Sequence, residues 1–246
     1  MRRLLEVCVE DVAGIDAAIA GGADRIELCA ALAVGGLTPP ASLIAAAAQA
    51  PIPVHLLARP RDGNFAYTAA EAALVAADIR AAAEAGLAGV VIGASRADQS
   101  LDADLLAQWI AVARSCDRPL SLTLHRAFDL CPDAPAGLET AIALGFDRIL
   151  TSGGAPRAVD GIGTLARLVA AAGDRLTILP GSGIDSTTLP AILKTGAREV
   201  HASCRSPQGA VDAREIAFGF QTGPRLVTDP IKIAGLRKLL DVQASA

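Results

Sequence analysis

The sequence predicts an α/β protein that folds as a single-domain (β/α)8 TIM barrel over residues 1–246. Eight short apolar runs alternate with alanine-rich stretches of helical periodicity along the chain. The chain is 52% hydrophobic but only 3% aromatic, which suits helices packed on a parallel sheet. A length of 246 residues is ordinary for such a barrel.

The predicted elements follow one another in regular order. Apolar runs rich in Val, Leu and Ile predict strands at residues 4–9, 25–28, 54–58, 89–92, 120–125, 148–151, 176–179 and 199–203. Helical periodicity predicts helices at residues 12–20, 41–49, 69–85, 102–115, 135–144, 161–172, 186–194 and 230–241. Residues suited to N-caps or first turns stand at helix starts, and they are Asp11, Thr38, Thr68, Asp102, Asp133 and Asp185.

A doubly wound open sheet is the alternative architecture. A dinucleotide-binding sheet of that kind would place a glycine fingerprint in its first strand-to-helix turn. That turn reads Cys8-Val9-Glu10-Asp11 and contains no glycine. The barrel is therefore favoured.

Composition and charge limit the partners. The formal net charge is -4 and no basic run is longer than Arg2-Arg3, so neither nucleic acid nor an anionic membrane is an expected partner. No apolar stretch approaches the roughly 20 residues of a membrane helix, and Glu6 comes too early for a signal-peptide core. Five cysteines without CxxC spacing do not form a disulfide framework. A cytoplasmic protein is expected.

Polar residues gather at the predicted carboxyl ends of the strands, where barrels carry their chemistry. Two similar triplets, Glu6-Val7-Cys8 and Glu27-Leu28-Cys29, close the first two strands. Because strand side chains alternate between faces, the glutamate and cysteine of each triplet share a face. The ends of later strands add Arg59, His125, Arg126, Asp129 and His201.

These groups suit an enzyme that acts on a small anionic or phosphorylated metabolite. Glu27 or His125 would transfer the proton, with Glu6 and His201 as further candidates, and Arg59 and Arg126 would orient the substrate beside Asp129. Proton abstraction beside a carbonyl, as in isomerases, aldolases or lyases, fits this set. The absence of lysine from the strand ends disfavours Schiff-base chemistry. The alternative is structural, with Glu6 and Glu27 paired with Arg59 or Arg126.

Glycine-rich loops follow the sixth and seventh predicted strands. Their backbone amides, together with a helix expected from Ile184 onward, predict an anion site. Its candidate residues are Gly153, Gly154, Gly181, Ser182, Gly183 and Ser203. The alternative is that these glycines only permit tight turns.

Cys8 and Cys29 stand at matching positions of neighbouring predicted strands. Adjacent strands lie roughly 4.8 Å apart, so the two thiolates could share a soft metal ion, and thiolate ligands select Cu(I) or zinc. The alternative is that both are small buried hydrophobic residues.

Seven ordered motifs lie at residues 6–9, 21–29, 35–39, 59–61, 125–129, 150–154 and 180–184. Together they resemble the CutC family, named for copper homeostasis. The resemblance implies a cytoplasmic TIM barrel, a homodimer or larger homo-oligomer, and Cu(I) binding through Cys8 and Cys29. Ser182 stands where the family commonly has a third glycine, which places a Cβ at the closest approach of the anion loop.

Three functions are therefore open. The first is copper homeostasis through Cu(I) binding by Cys8 and Cys29 at the carboxyl ends of strands 1 and 2. The second is an enzyme of the isomerase, aldolase or lyase type that acts on a small anionic metabolite, and the third is a non-catalytic scaffold. The sequence does not decide whether the protein is an enzyme.

Overall fold

A computed structural model describes residues 2–242 and shows eight parallel strands in a nearly closed barrel. The strands are β1 Leu4–Val9, β2 Arg25–Leu28, β3 Val54–Leu57, β4 Gly89–Ile92, β5 Ser121–Leu124, β6 Arg148–Thr151, β7 Thr177–Pro180 and β8 Glu199–Ala202. Parallel ladders join them in the order β7-β6-β5-β4-β3-β2-β1-β8, and β7 contacts β8. The predicted (β/α)8 barrel is confirmed. The outermost residues of the predicted 1–246 domain, 1 and 243–246, lie outside the described range.

The helices alternate with the strands and pack around the barrel. They are α1 Val12–Gly21, α2 Ala41–Ala47, α3 Ala69–Glu84, α4 Ala103–Ser115, α5 Ala134–Leu144, α6 Ile162–Ala172, α7 Leu189–Leu193, α8 Ala213–Ala217 and α9 Pro230–Val242. Four predicted N-caps are confirmed, because each side chain accepts a hydrogen bond from an amide of the first turn: Asp11, Thr68, Asp102 and Asp133.

The predicted helix-start roles of Thr38 and Asp185 are wrong. Helix α2 begins after Pro40, and the Thr38 hydroxyl instead donates to Asp78 at 2.9 Å and accepts from the Arg59 amide at 2.9 Å. Helix α7 begins only after Thr188. Both side chains stabilise loops that precede a helix, which is the other common use of these residue types.

An antiparallel pair of strands follows the barrel and was not predicted. It consists of β9 Arg205–Gln208 and β10 Arg225–Thr228, with α8 between them. The β9 sequence, Arg-Ser-Pro-Gln, has no apolar alternation that could have revealed it. Among the described helices, none combines the length and apolar character needed to cross a membrane.

Most of the core lies between the barrel and its helices and is built from Ala, Val, Leu and Ile. Trp109 of α4 is much larger than these core residues. It is 2% exposed, its ring packs against Tyr67, and its indole N–H donates to the Ala72 carbonyl at 3.0 Å. The contact joins α4 to α3.

Replacing Trp109 by alanine should lower the stability of the protein more than most single substitutions in the helical layer. Trp109→Ala removes a large buried side chain and leaves a cavity, so the free energy of unfolding should fall by about 3–5 kcal/mol. Urea denaturation measures it. Ile231→Ala is the control, because Ile231 is 80% exposed and its loss should change little. Equal effects in the two variants would contradict the assigned packing.

Candidate functional site

A cavity of about 490 Å³ lies at the carboxyl ends of the barrel strands. Most of the predicted site residues line it, namely Cys8, Glu27, Arg59, His125, Arg126, Asp129, Ser182, Gly183, His201 and Ser203. The other predicted residues, Glu6, Cys29, Gly153, Gly154 and Gly181, are not part of its lining. Side chains from distant segments therefore meet at one end of the barrel.

Strand register decides which polar residues become neighbours. Cys8 of β1 pairs with Glu27 of β2, whereas Glu6 pairs with Arg25 on β2 and with His201 on β8. The two Glu-x-Cys triplets are thus offset by two residues across the sheet. This offset places the carboxylate of one triplet beside the thiol of the other.

Cys8, Glu27 and His201 form a compact buried group, which we call the Cys8 cluster. Each offers one ligand atom, and these atoms all lie within 4.8 Å of one another. His201 Nδ1 lies 2.8 Å from the Glu6 carboxylate, and its Nε2 lies 3.7 Å from Glu27. A histidine whose second ring nitrogen bonds a carboxylate is typical of metal sites, because the carboxylate fixes the tautomer and the ring orientation.

Cys29 lies next to this cluster but outside it. Its side chain is fully buried, packs with Cys8, Leu57 and Val91, and donates to the Glu27 carbonyl at 3.8 Å. Burial, reinforced by the nearby Glu27 carboxylate, raises the pKa of Cys29 well above its ordinary value. Cys29 is therefore a protonated thiol in this structure.

A buried ionic network lies beneath the cluster. Glu6 is fully buried and pairs with Arg25, while Arg25 and Arg148 both contact Glu199, at 2.7 and 2.9 Å. Burial alone would raise the pKa of Glu6, but Arg25 and His201 lower it well below its usual range. Glu6 is therefore ionised. The predicted pairing of Glu6 with Arg59 or Arg126 is wrong, because the register brings Arg25 to this carboxylate instead.

The cluster holds a proton close to neutral pH. Burial raises the pKa of Glu27 to about 7, and the nearby charge of Glu6 adds to the effect. Burial alone would lower the pKa of His201, but Cys8, Glu6 and Glu27 raise it well above its ordinary value. The fully ionised Glu6 can only accept, so His201 Nδ1–H donates to it.

The part of the cavity wall that follows β3 and β5 carries Arg59 and His125. The Arg59 guanidinium donates to the carbonyls of Val34, Gly36 and Gly63 at 2.8, 2.9 and 3.0 Å. His125 is 5% exposed, and burial, together with the charge of Arg59, lowers its pKa to about 3. His125 is therefore neutral at physiological pH.

The loop after β6 holds one of the protein's own carboxylates. Asp129 accepts the amide N–H groups of Ser152 and Gly154 at 2.9 and 3.1 Å, and Arg126 donates to it at 2.7 Å. These two amides of the predicted anion loop are therefore already hydrogen-bonded inside the protein. The cradle that the glycines form is filled by Asp129.

The other glycine amides of the predicted anion loops either bond to Thr151 inside the protein or lie in the loop that reaches the cavity. The Gly153 amide donates to the Thr151 hydroxyl at 2.9 Å, and the Gly181 amide donates to the Thr151 carbonyl at 3.0 Å. Ser182 and Gly183 do reach the cavity, and the Ser182 hydroxyl donates to the Pro156 carbonyl at 2.8 Å. Anion binding by Ser182 and Gly183 stays a prediction.

The helix expected from Ile184 does not begin there. Asp185 accepts the amides of Thr187 and Thr188 at 2.8 and 2.9 Å and so closes a turn, and α7 starts at Leu189. That prediction is wrong. The helix start lies several residues beyond the loop that reaches the cavity, so the predicted contribution of a helix N-terminus to an anion site is absent from this loop.

Comparison with known proteins identifies a family. A model described as the CutC family matches residues 3–206. A protein named family protein CutC from Sinorhizobium medicae (strain WSM419) is 50% identical over 245 residues, which cover 99% of this chain and 98% of that protein. A crystal structure of CutC from Streptococcus agalactiae, assigned by name to copper homeostasis, has a TM-score of 0.77 and 30% identity and covers 82% of this chain and 98% of that one. Thiamine phosphate pyrophosphorylase from Pyrococcus furiosus shares the fold. Its structure has a TM-score of 0.60 and 15% identity, and the match covers 97% of this chain and 96% of that one.

The neutral state of His125 makes stability sensitive to acid. The folded protein protonates His125 only near pH 3, whereas the unfolded side chain does so near its ordinary pKa of 6.5. Between these values the unfolded state binds more protons, so the free energy of unfolding rises with pH, and the contribution is complete above 6.5. One proton contributes about 1.4 kcal/mol per pH unit.

Urea denaturation of His125→Gln at several pH values between about 5 and 6.5 tests this linkage. The slope of the free energy of unfolding against pH should fall by the contribution of nearly one proton at the acid end of this range and of about half a proton at its upper end. Burial likewise lowers the pKa of His55 to about 3, so His55→Gln should lose a similar slope independently. An unchanged slope in His125→Gln would show that His125 is not neutral in the folded protein.

Proposed function

The chain belongs to the CutC family, and we propose that it serves copper homeostasis by binding Cu(I) at the carboxyl ends of β1 and β2. The observation that carries this proposal is the Cys8 cluster, in which a thiol, an imidazole and a carboxylate offer ligand atoms within 4.8 Å of one another. In this function Cu(I) is the cargo of the protein.

The donors divide by their chemistry. A thiolate and an imidazole suit Cu(I), whereas a carboxylate is a harder ligand that suits it less. Cys8 and His201 are therefore the proposed primary ligands, and Glu6 holds His201 in the orientation that leaves Nε2 for the metal. Cys29, packed beside Cys8, is the proposed second thiolate and must lose its proton to bind.

Zinc is the competing metal for this donor set. A thiolate, an imidazole and a carboxylate can together bind Zn²⁺ and leave a fourth position open. Copper is preferred because the family is named for copper homeostasis and because Cys29 adds a second soft donor nearby. Binding of both metals therefore has to be measured.

A second candidate function is an enzyme of isomerase, aldolase or lyase type that acts on a small anionic metabolite. It is favoured by Arg59 and His125, two cavity residues that a copper site does not use. In that function Glu27 would transfer the proton, while Arg126 beside Asp129 would help to orient the substrate. The cytoplasmic location and the homodimer or larger homo-oligomer expected from the sequence remain predictions.

Cu(I) titration under anaerobic conditions, in competition with a chromogenic Cu(I) chelator, tests the copper proposal. Wild-type protein should bind about one Cu(I) per chain, and Cys8→Ser should bind it at least about 100-fold more weakly, because it loses a soft ligand directly. Cys29→Ser should weaken binding less, since Cys29 lies outside the Cys8 cluster.

Cys116→Ser is the matched control for these variants. Cys116 lies at the end of α4, and its thiol donates to the Val112 carbonyl at 3.4 Å, so its replacement should leave Cu(I) binding unchanged. Wild-type stoichiometry in the Cys8→Ser/Cys29→Ser double variant would refute the proposed ligands. Binding of Zn²⁺ without Cu(I) would assign the cluster to zinc instead.

A further inference from the structure

We propose that the same cavity binds the anionic group of a small metabolite, a carboxylate or a phosphate, through Arg59 and His125. This inference deepens the second candidate function, on whose anionic metabolite it rests, and it does not depend on copper binding, because neither residue belongs to the Cys8 cluster. It rests on three features of the β3 and β5 wall: a buried cation without a counter-charge, a buried donor without an acceptor, and a glycine that lets the two side chains share one space.

Arg59 is the buried cation. It is 6% exposed, and among the described residues its guanidinium donates to three backbone carbonyls while its Nε has no hydrogen-bond partner. Within residues 2–242 no acidic side chain forms an ion pair with it. Buried guanidinium groups are normally paired, because taking a charge out of water is costly. Carbonyl dipoles and the face of Phe65, 5.1 Å from Arg59 Cζ, only partly replace a counter-charge.

His125 is the donor without an acceptor. Its Nδ1 accepts the amide N–H of Ala127 at 3.1 Å, so in the neutral ring the proton lies on Nε2. Nε2 is buried and has no hydrogen-bond partner among the described residues. An unpaired buried donor costs free energy that an accepting ligand would restore. A neutral imidazole adds a directional hydrogen bond to the charge that Arg59 supplies.

The fold places these two groups on one wall. Arg59 follows β3 and His125 follows β5, with β4 between them. Gly93 comes directly after β4, and a Cβ there would lie 2.4 Å from the His125 ring. The missing side chain therefore gives the imidazole its space. The Phe65 ring, centred 4.7 Å from the His125 ring, packs against both groups.

The cavity defines the class of ligand. A volume of about 490 Å³ suits a small molecule. A guanidinium presents planar N–H groups that match the oxygens of a carboxylate or a phosphate. Leu57, Leu150 and Ile184 line the same cavity and would contact an apolar part of the metabolite. Phe65 is half-buried, lines the same cavity and packs against both polar groups.

Isothermal titration calorimetry of the full chain, with inorganic phosphate and with pyruvate as separate probes, tests this site. At least one probe should bind saturably to the wild type. Arg59→Gln should weaken that binding about 10- to 100-fold, because it removes a charged donor, and His125→Phe about 2- to 10-fold, because it removes a neutral one. The tighter probe identifies the anionic group, and either result supports the site.

Arg61→Gln is the matched control. Arg61 lies two residues from Arg59 but does not line the cavity, and its guanidinium is paired with Glu71, so its loss should leave anion binding unchanged. Absence of saturable binding of both probes to the wild type would overturn the proposal. So would equal weakening by Arg61→Gln and Arg59→Gln, because it would indicate general charge attraction.

Two further measurements, circular dichroism of Arg59→Gln and Cu(I) titration of His125→Phe, separate loss of the anion site from loss of folding and from failure of the copper proposal. If circular dichroism shows that Arg59→Gln does not fold, His125→Phe decides the question, since it leaves the carbonyl contacts of Arg59 in place. Anion binding that is about 2- to 10-fold weaker in a folded His125→Phe supports the site, and wild-type affinity overturns it. Cu(I) titration of the same variant should give the wild-type stoichiometry, so a failure of the copper proposal and a failure of the anion site give different results.

Discussion

The buried carboxylate of Glu6 is the constraint on which the candidate site depends. It is fully buried in the barrel and stays ionised because Arg25 and His201 both contact it. Removing either partner would leave an uncompensated charge inside the sheet, which is strongly destabilising. The same contacts orient the His201 ring so that its Nε2 lies toward Glu27. A requirement of stability, the pairing of a buried charge, thereby also arranges the donors of the Cys8 cluster.

The two walls of the cavity differ in how their charges are balanced. On the wall of β1, β2 and β8, the carboxylates are already paired with cations, because Arg25 contacts both Glu6 and Glu199. A metal cation that binds there must therefore displace a proton, since no unpaired negative charge is left for it to neutralise. On the wall of β3 and β5, Arg59 contacts carbonyl dipoles and the face of Phe65, and no carboxylate is paired with it among residues 2–242. Soft metal chemistry suits the first wall and an anionic metabolite suits the second, so the two proposed ligands do not compete for the same side chains.

The sequence predicts the barrel well and the contacts within it less well. Strands and long helices were predictable because each depends on a local apolar period. Register depends on barrel stagger, which no local pattern encodes, so the alignment of Glu6 with Arg25 was not foreseen. Arg25, Arg148 and Glu199 are site residues that the sequence missed, although a charged residue that opens a short apolar strand was a usable signal. The β9 strand has no apolar alternation, so its sequence contained no signal that could predict a strand.

The loop after β6 shows why a motif can be identified correctly and still be assigned the wrong ligand. Glycine-rich turns of this kind present amides to an anion, and in this loop they do so, but the anion is Asp129. An acidic residue only a few positions beyond a strand, as Asp129 is beyond β5, can reach the adjacent loop, and spacing alone cannot show that it does. Once two of these backbone donors are used internally, recognition of an external anion falls to side chains. Among the residues that the structure describes, Arg59 is a buried cation with no carboxylate paired to it, which is why the β3 and β5 wall is the place to look for the metabolite.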